Sequence, residues 1–276
     1  MKKLCFLFLV IFSFSQSFSQ GSELGLFLGV ATYGGELKHQ LFTTDYIHPA
    51  IGLQFRKNFS KHWSANLNAT YGKISAADST SEDPFQLERN LSFKSNILEV
   101  GGRLEFNFFP YYIGNEDWPF TPFLFIGIAG YRFNPMAEIG DDEFELQPLG
   151  TEGQGTTSYP DRKKYKRTQI SVPYGGGFKF TLTRRVGVNI EAGVRKTYTD
   201  YLDDVSTTYA DKATLSENGT LAIILSDRSP GAALDDFTGK QRGNSRDTDK
   251  YLFAGVTLSF RLGNLTREKC HFDLPK

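Results

Sequence analysis

The stretch TDYLDDVSTTY (199–209) sets Asp200, Asp203 and Asp204 close together beside Tyr201. Three carboxylates in one short segment are raw material for a calcium loop, which needs six to eight oxygen ligands. Their spacing follows no EF-hand pattern, so the preferred reading is a structured rim just beyond the lipid, where these acids are the first residues fully in water and pair with bases of a neighbouring loop. That loop is PLGTEGQGTTSYPDRKKYKRTQ (148–169), with Arg162, Lys163, Lys164, Lys166 and Arg167. Histidine chemistry is thin. His39 and His48 lie on either side of Asp45, with no nucleophile to complete a triad. HExxH, CxxC and phosphate-cradling glycine loops do not occur. The sequence therefore assigns no catalytic residue, no cofactor and no metal. A third group, Arg56, Glu99, Arg103, Glu105, Glu191 and Arg195, is scattered through strand-like segments. These residues make chemical sense only if the strands bring them together.

The chain that must position them is 276 residues long and opens MKKLCFLFLVIFSFSQSFSQ. Two lysines, a short apolar run and Ser17 and Ser19 ahead of Gln20 predict a secretory signal peptide over 1–19. That apolar run falls short of the ~20 residues a spanning helix needs. Lys+Arg and Asp+Glu both number 31, so charge offers nothing to a nucleic acid. Once the leader is removed only Cys270 remains, which excludes an intrachain disulfide. Mean hydropathy is −0.34, against a helical membrane protein. Yet there are 25 Phe, 13 Tyr and 27 Gly. An exported chain with this composition suits a membrane β-barrel.

Apolar residues alternate with small or polar ones in eight segments: 24–33, 49–58, 63–72, 96–108, 122–133, 170–182, 186–197 and 251–262. Leu24, Leu26, Leu28 and Val30 oppose Gly25, Phe27, Gly29 and Ala31; Leu98, Val100, Leu104 and Phe106 oppose Glu99, Gly101, Arg103 and Glu105. The connections alternate long and short along the chain, as in outer-membrane barrels. Aromatics collect at strand ends. Phe59, Trp63, Phe108, Phe109, Tyr111, Tyr112 and Trp118 mark one side, and Tyr33, Tyr46, Tyr71, Tyr131, Tyr198 and Tyr201 the other, as paired girdles.

The fold class predicted is all-β: an eight-stranded antiparallel transmembrane β-barrel with short periplasmic turns and long extracellular loops. The barrel occupies 20–262, with a periplasmic tail over 263–276 and both termini in the periplasm. GTLAIIL (219–225) is expected as a loop element outside the membrane, either a short helix or an extra hairpin strand. Eight strands enclose a space that side chains fill. The inward charges are therefore expected to form a paired plug, with an ion or solute channel as the rival. The third possibility is adhesion or ligand capture by the long loops.

Several strings resemble the PorG-type outer-membrane proteins of Bacteroidetes: LGTEGQG (149–155), ISVPYGGGFKF (170–180), AGVRKTYTDYLDDVSTTY (192–209) and SPGAA (229–233). TYGGELKH (32–39) and the pattern of 106–135 fit too. The resemblance implies a barrel of the type IX secretion machinery, which exports proteins and, in gliding species, surface adhesins. It also implies association with a periplasmic ring made of a lipoprotein and a partner protein, besides the surrounding outer-membrane lipids. The expected contacts are then on the periplasmic side: Tyr111, Tyr112 and Trp118 in the longest turn, and Cys270 in the tail. Tyr and Trp are enriched at interface hot spots.

Overall fold

The computed structural model describes residues 21–38, 41, 45–232 and 236–263. The expected signal peptide over 1–19, His39, most of the 263–276 tail and Cys270 lie outside the described residues.

Eight strands close a barrel: β1 (Ser22–Gly34), β2 (His48–Asn58), β3 (Trp63–Ala77), β4 (Ser92–Asn107), β5 (Phe120–Arg132), β8 (Thr168–Thr181), β9 (Val186–Thr197) and β10 (Lys250–Leu262). Each pairs antiparallel with its neighbour, and β10 returns to β1 from Ser22↔Leu262 to Gly34↔Lys250. This is the expected fold. Parity decides which side each residue faces. Leu24, Leu28, Leu53, Leu67, Val100, Ile126 and Ile128 point outward and are exposed, while Gln54, Arg56, Asn66, Glu99, Glu105, Lys179 and Asn189 are buried inside. An apolar belt this continuous around a polar interior fits lipid rather than water. Among the described residues, no helix is long and apolar enough to cross a membrane.

The two ends differ. At one end the turns are short, except for residues 108–119. Both tryptophans sit there: Trp63 packs on Phe106 and Trp118 stacks on Phe109. At the other end the connections build a cap. β3 and β4 run past their predicted ends and stay paired to Ala77↔Ser92. A hairpin absent from the sequence reading, β6 (Pro135–Ile139) and β7 (Asp142–Glu145), extends the sheet from β4. Short helices fill the rest: α1 (Pro84–Arg89), α2 (Leu146–Leu149), α3 (Lys212–Leu215) and α4 (Thr220–Ser226). Helix α1 starts where Asp83 accepts the Phe85 N–H at 2.9 Å and Pro84 supplies a pre-set φ. Helix α4 resolves the 219–225 alternative in favour of a helix outside the barrel wall.

Aromatic rings join cap to lumen. Tyr251, Tyr131, Phe133, Tyr165 and Tyr201 follow one another with centroids 4.9–5.9 Å apart. Tyr33 and Tyr131 are accordingly not girdle residues. They share parity with Phe27 and Phe125, face inward, and are 0% and 1% exposed. Tyr71 and Tyr198 do face outward, as expected.

Candidate functional site

The lumen holds a closed charge network. Glu105 is its hub, accepting from Arg56 Nε at 2.7 Å, Arg103 Nε at 3.0 Å, Lys179 Nζ at 2.7 Å and Asn66 Nδ2 at 2.8 Å. Arg103 also grips Glu191 with two bonds of 2.8 Å. Arg56 reaches Glu23 at 2.6 Å. Arg195 holds Glu99, which also accepts from the Tyr251 hydroxyl at 2.9 Å. Arg103, Lys179 and Arg195 lie over the rings of Phe125, Phe123 and Phe253, 4.4–4.6 Å from their centroids. Space for Phe125 comes from Gly175 and Gly193, where a Cβ would stand 2.9 and 2.4 Å from the ring. Of the six lumen residues singled out in the sequence, Arg56, Arg103, Glu105 and Glu191 share one network with Glu23 and the likewise inward Lys179, while Glu99 and Arg195 form a pair of their own. Pairing is what makes such burial tolerable, since an isolated charge there would cost several kcal/mol.

The short-turn end is sealed. Residues 108–119 fold back into the mouth, with Tyr111 and Ile113 2% and 1% exposed. Tyr111 N–H donates to the Lys61 carbonyl at 2.9 Å, and Arg261 donates to the Ile113 carbonyl at 2.8 Å. Tyr111 is thus a floor residue and corrects its assignment as a partner contact: an apolar ring beside an open mouth gains more by filling it. Burial pushes its hydroxyl up to about 12. Tyr112 is half-buried under the Arg261 guanidinium, and Trp118 is exposed.

At the cap, the expectation of solvated aspartates is overturned. Asp200, Asp203 and Asp204 are 9%, 1% and 0% exposed. Thr151 and Glu152, residues 239–243 and the end of β1 close over the segment, so leaving the lipid belt does not mean entering water. The predicted basic run does not reach these acids either. Arg162 caps backbone carbonyls of Glu152 and Thr208, and Arg167 pairs with Glu145. The buried base is Arg242, which donates to Glu152 at 3.0 Å and to the Asp204 carbonyl at 2.6 Å.

Glu152 organises the turn. Its carboxylate accepts the N–H groups of Ser206 and Thr207, the Thr207 hydroxyl at 2.7 Å and the Tyr201 hydroxyl at 3.2 Å. These bonds hold Asp204 in the left-handed region, at φ 69°. Asp204 itself accepts from Thr151 and Tyr165. Burial raises its carboxyl to about 6, with Arg242 opposing the rise.

Beside this joint lies an acidic cluster drawn from three adjacent strands. Glu36 follows β1, Asp200 and Asp203 follow β9, and Asp249 precedes β10. One ligand oxygen from each of Glu36, Asp200 and Asp249 falls within 4.8 Å of the others. The Tyr33 hydroxyl lies within bonding distance of two carboxylates, Asp203 at 2.6 Å and Asp249 at 2.9 Å. Burial and mutual repulsion raise Glu36 and Asp249 far above ordinary carboxylates. Burial chiefly lifts Asp200 and Asp203 to about 7. The sequence singled out Asp200 and Asp203 but not Tyr33, Glu36, Glu152, Arg242 or Asp249. The signals available were the inward parity of Tyr33 and the places of Glu36 and Glu152 inside the strings TYGGELKH and LGTEGQG.

No curated protein matches the sequence. Among solved structures the chain is similar to Ail, the attachment invasion locus protein of Yersinia pestis, at 9% identity and TM-score 0.41, covering 88% of this chain and 99% of Ail. It is similar to Neisserial surface protein A at 8% and 0.42, covering 87% and 97%. For the outer-membrane protein OprG of Pseudomonas aeruginosa the values are 10% and 0.39, covering 89% and 98%. The family model described as a domain of unknown function, DUF6089, matches residues 2–222, and the chain belongs to that family.

Proposed function

We propose that this outer-membrane barrel is a non-enzymatic component of the type IX protein secretion machinery that anchors or organises its periplasmic ring. The observation that carries the reading is the joint built by Glu152. LGTEGQG and TDYLDDVSTTY, the strings most specific to the PorG-type resemblance, are far apart in sequence but lock together through one buried carboxylate. A pair of strings with a shared structural task is better evidence of kinship than glycine-rich strands. In this reading the cap faces the cell exterior, while both termini and the short turns face the periplasm.

The filled lumen and sealed floor weigh against the channel alternative, and steady openings of the purified barrel in planar bilayers would reinstate it. Ring contacts then belong on the exposed short-turn surface, at Tyr112 and Trp118. Cys270, outside the described residues, serves as a cross-linking position. Deletion of the gene is expected to block secretion, and the tagged barrel to co-purify with a periplasmic lipoprotein ring. Intact secretion with no ring recovered would refute the assignment.

A further inference from the structure

The acidic cluster has no counter-charge of its own. Glu36 is 7% exposed and Asp200 9%, and none of their four carboxylate oxygens has a hydrogen-bond partner among the described residues. A buried carboxylate left this way is costly, and native interiors avoid it. The nearby cations are committed elsewhere. Arg89 holds the Asp78 carboxylate with two bonds of 2.7 Å and meets Glu36 only at its backbone carbonyl. Lys38 Nζ donates to the Thr32 hydroxyl and the Asp45 carbonyl. Asp203 and Asp249 are steadied from behind by the Val205 and Leu202 N–H groups at 2.9 and 2.8 Å. Glu36 and Asp200 are not.

We propose that Glu36, Asp200 and Asp249, backed by Asp203 and Tyr33, bind a hard divalent cation such as calcium at the cap. The donors are oxygens alone, which suits calcium or magnesium and not the softer transition metals. One oxygen from each of the three lies within 4.8 Å of the others, close enough for a single ion to meet all of them. Gly35 keeps the place clear, since a Cβ there would stand 1.9 Å from Asp249 Oδ1 and 2.1 Å from the Tyr33 hydroxyl. A cleft of about 630 Å³ reaches Glu36, lined by Asp247, Asn244 and Thr248 and also by Lys196, Arg246 and Lys250. The ion ties together the ends of β9, β10 and β1, three neighbours in the wall. This inference is independent of the secretion assignment.

The full chain, folded in detergent micelles and stripped with chelator at neutral pH, is titrated with terbium and then with calcium chloride. Terbium is expected to bind at one site, with emission sensitised by Tyr33, and calcium to displace it. Glu36→Gln and Asp200→Asn should each weaken binding at least tenfold. Their oxygens support nothing else, so the folded-barrel gel shift should persist. Asp236→Asn, an exposed cap acid, should leave binding unchanged. Hydrogen exchange on the parent chain needs no substitution. Calcium should slow exchange at 35–38 and 199–206 while leaving 84–91 unaltered. The proposal is overturned by no binding up to about 10 mM calcium, tenfold beyond the weak extracellular modules. It is equally overturned by parental affinity in both variants, or by exchange indifferent to calcium. Any of these results would mean that Glu36 and Asp200 share a proton instead.

Discussion

Inside the wall, Glu23, Glu99, Glu105 and Glu191 are matched by Arg56, Arg103, Lys179 and Arg195, whereas in the cap Glu36, Asp200, Asp203 and Asp249 crowd together around one tyrosine hydroxyl. Both sets are buried, though a cleft reaches the cap set at Glu36. The difference lies in how their members are delivered. Strand register fixes the lumen set: Ser64 faces Glu105 and Asn66 faces Arg103, so every acid meets a chosen neighbour. The cap set arrives on three loop ends, and among the described residues no base forms an ion pair with it. A balanced interior serves stability and closure, while an unbalanced one holds its excess charge ready for a ligand or a proton.

The sharpest way to break this comparison is to remove the lumen hub. Glu105→Gln leaves Arg56, Arg103 and Lys179 sharing too few acids, and should cost about 3–5 kcal/mol in urea unfolding from lipid vesicles. A loss below about 1 kcal/mol would mean that the network is not what holds the interior. Glu152→Gln should cost less, about 1.5–3 kcal/mol, and only locally. Hydrogen exchange should rise at 201–207 and stay unchanged in the strands; a uniform rise would make cap and wall one unit.

The third test uses pH, with divalent cations chelated. Asp200 and Asp203 titrate near 7 in the folded cap and near 4 in an unfolded chain. Raised carboxylates stabilise fully below the unfolded value, and that contribution is lost as pH rises through about 7. Glu36, Asp249, Tyr33, Glu152, Asp247 and Arg89 share the field that sets this range. The cap should therefore resist urea better at pH 5 than at pH 8, as followed by near-ultraviolet tyrosine dichroism. An opposite slope would contradict the cluster's burial. The smallest effect belongs to the surface. Trp118→Ala should change stability by no more than about 0.5 kcal/mol while lowering ring recovery in pull-downs.

Strand parity made the wall legible, because lipid outside and packing inside impose opposite demands on alternate residues. It made Arg103 and Glu191 legible as inward residues, though not as partners. The same parity points Tyr33 inward, but its place at a strand end drew it into the girdle reading instead. The cap was harder. β6 is only five residues long and its buried side presents just Pro135 and Ala137, beside half-buried Met136 and exposed Glu138, so its alternation carries too little apolar contrast to read. Asp249 and Glu36 are 213 positions apart and meet only because β1 and β10 close the barrel. Acids following a strand look solvated until the loop that covers them is known.

The placement of Trp63 and Trp118 gives the molecule two separate optical voices. Both indoles belong to the short-turn end, half in contact with other rings and half exposed. Tryptophan emission should therefore report the arrival of that end in lipid and remain silent about the cap. The tyrosine file from Tyr251 to Tyr201 runs the other way, out of the lumen and under the loops. Exciting the two ring types separately during refolding would time membrane insertion and cap closure as distinct events in a single unlabelled chain.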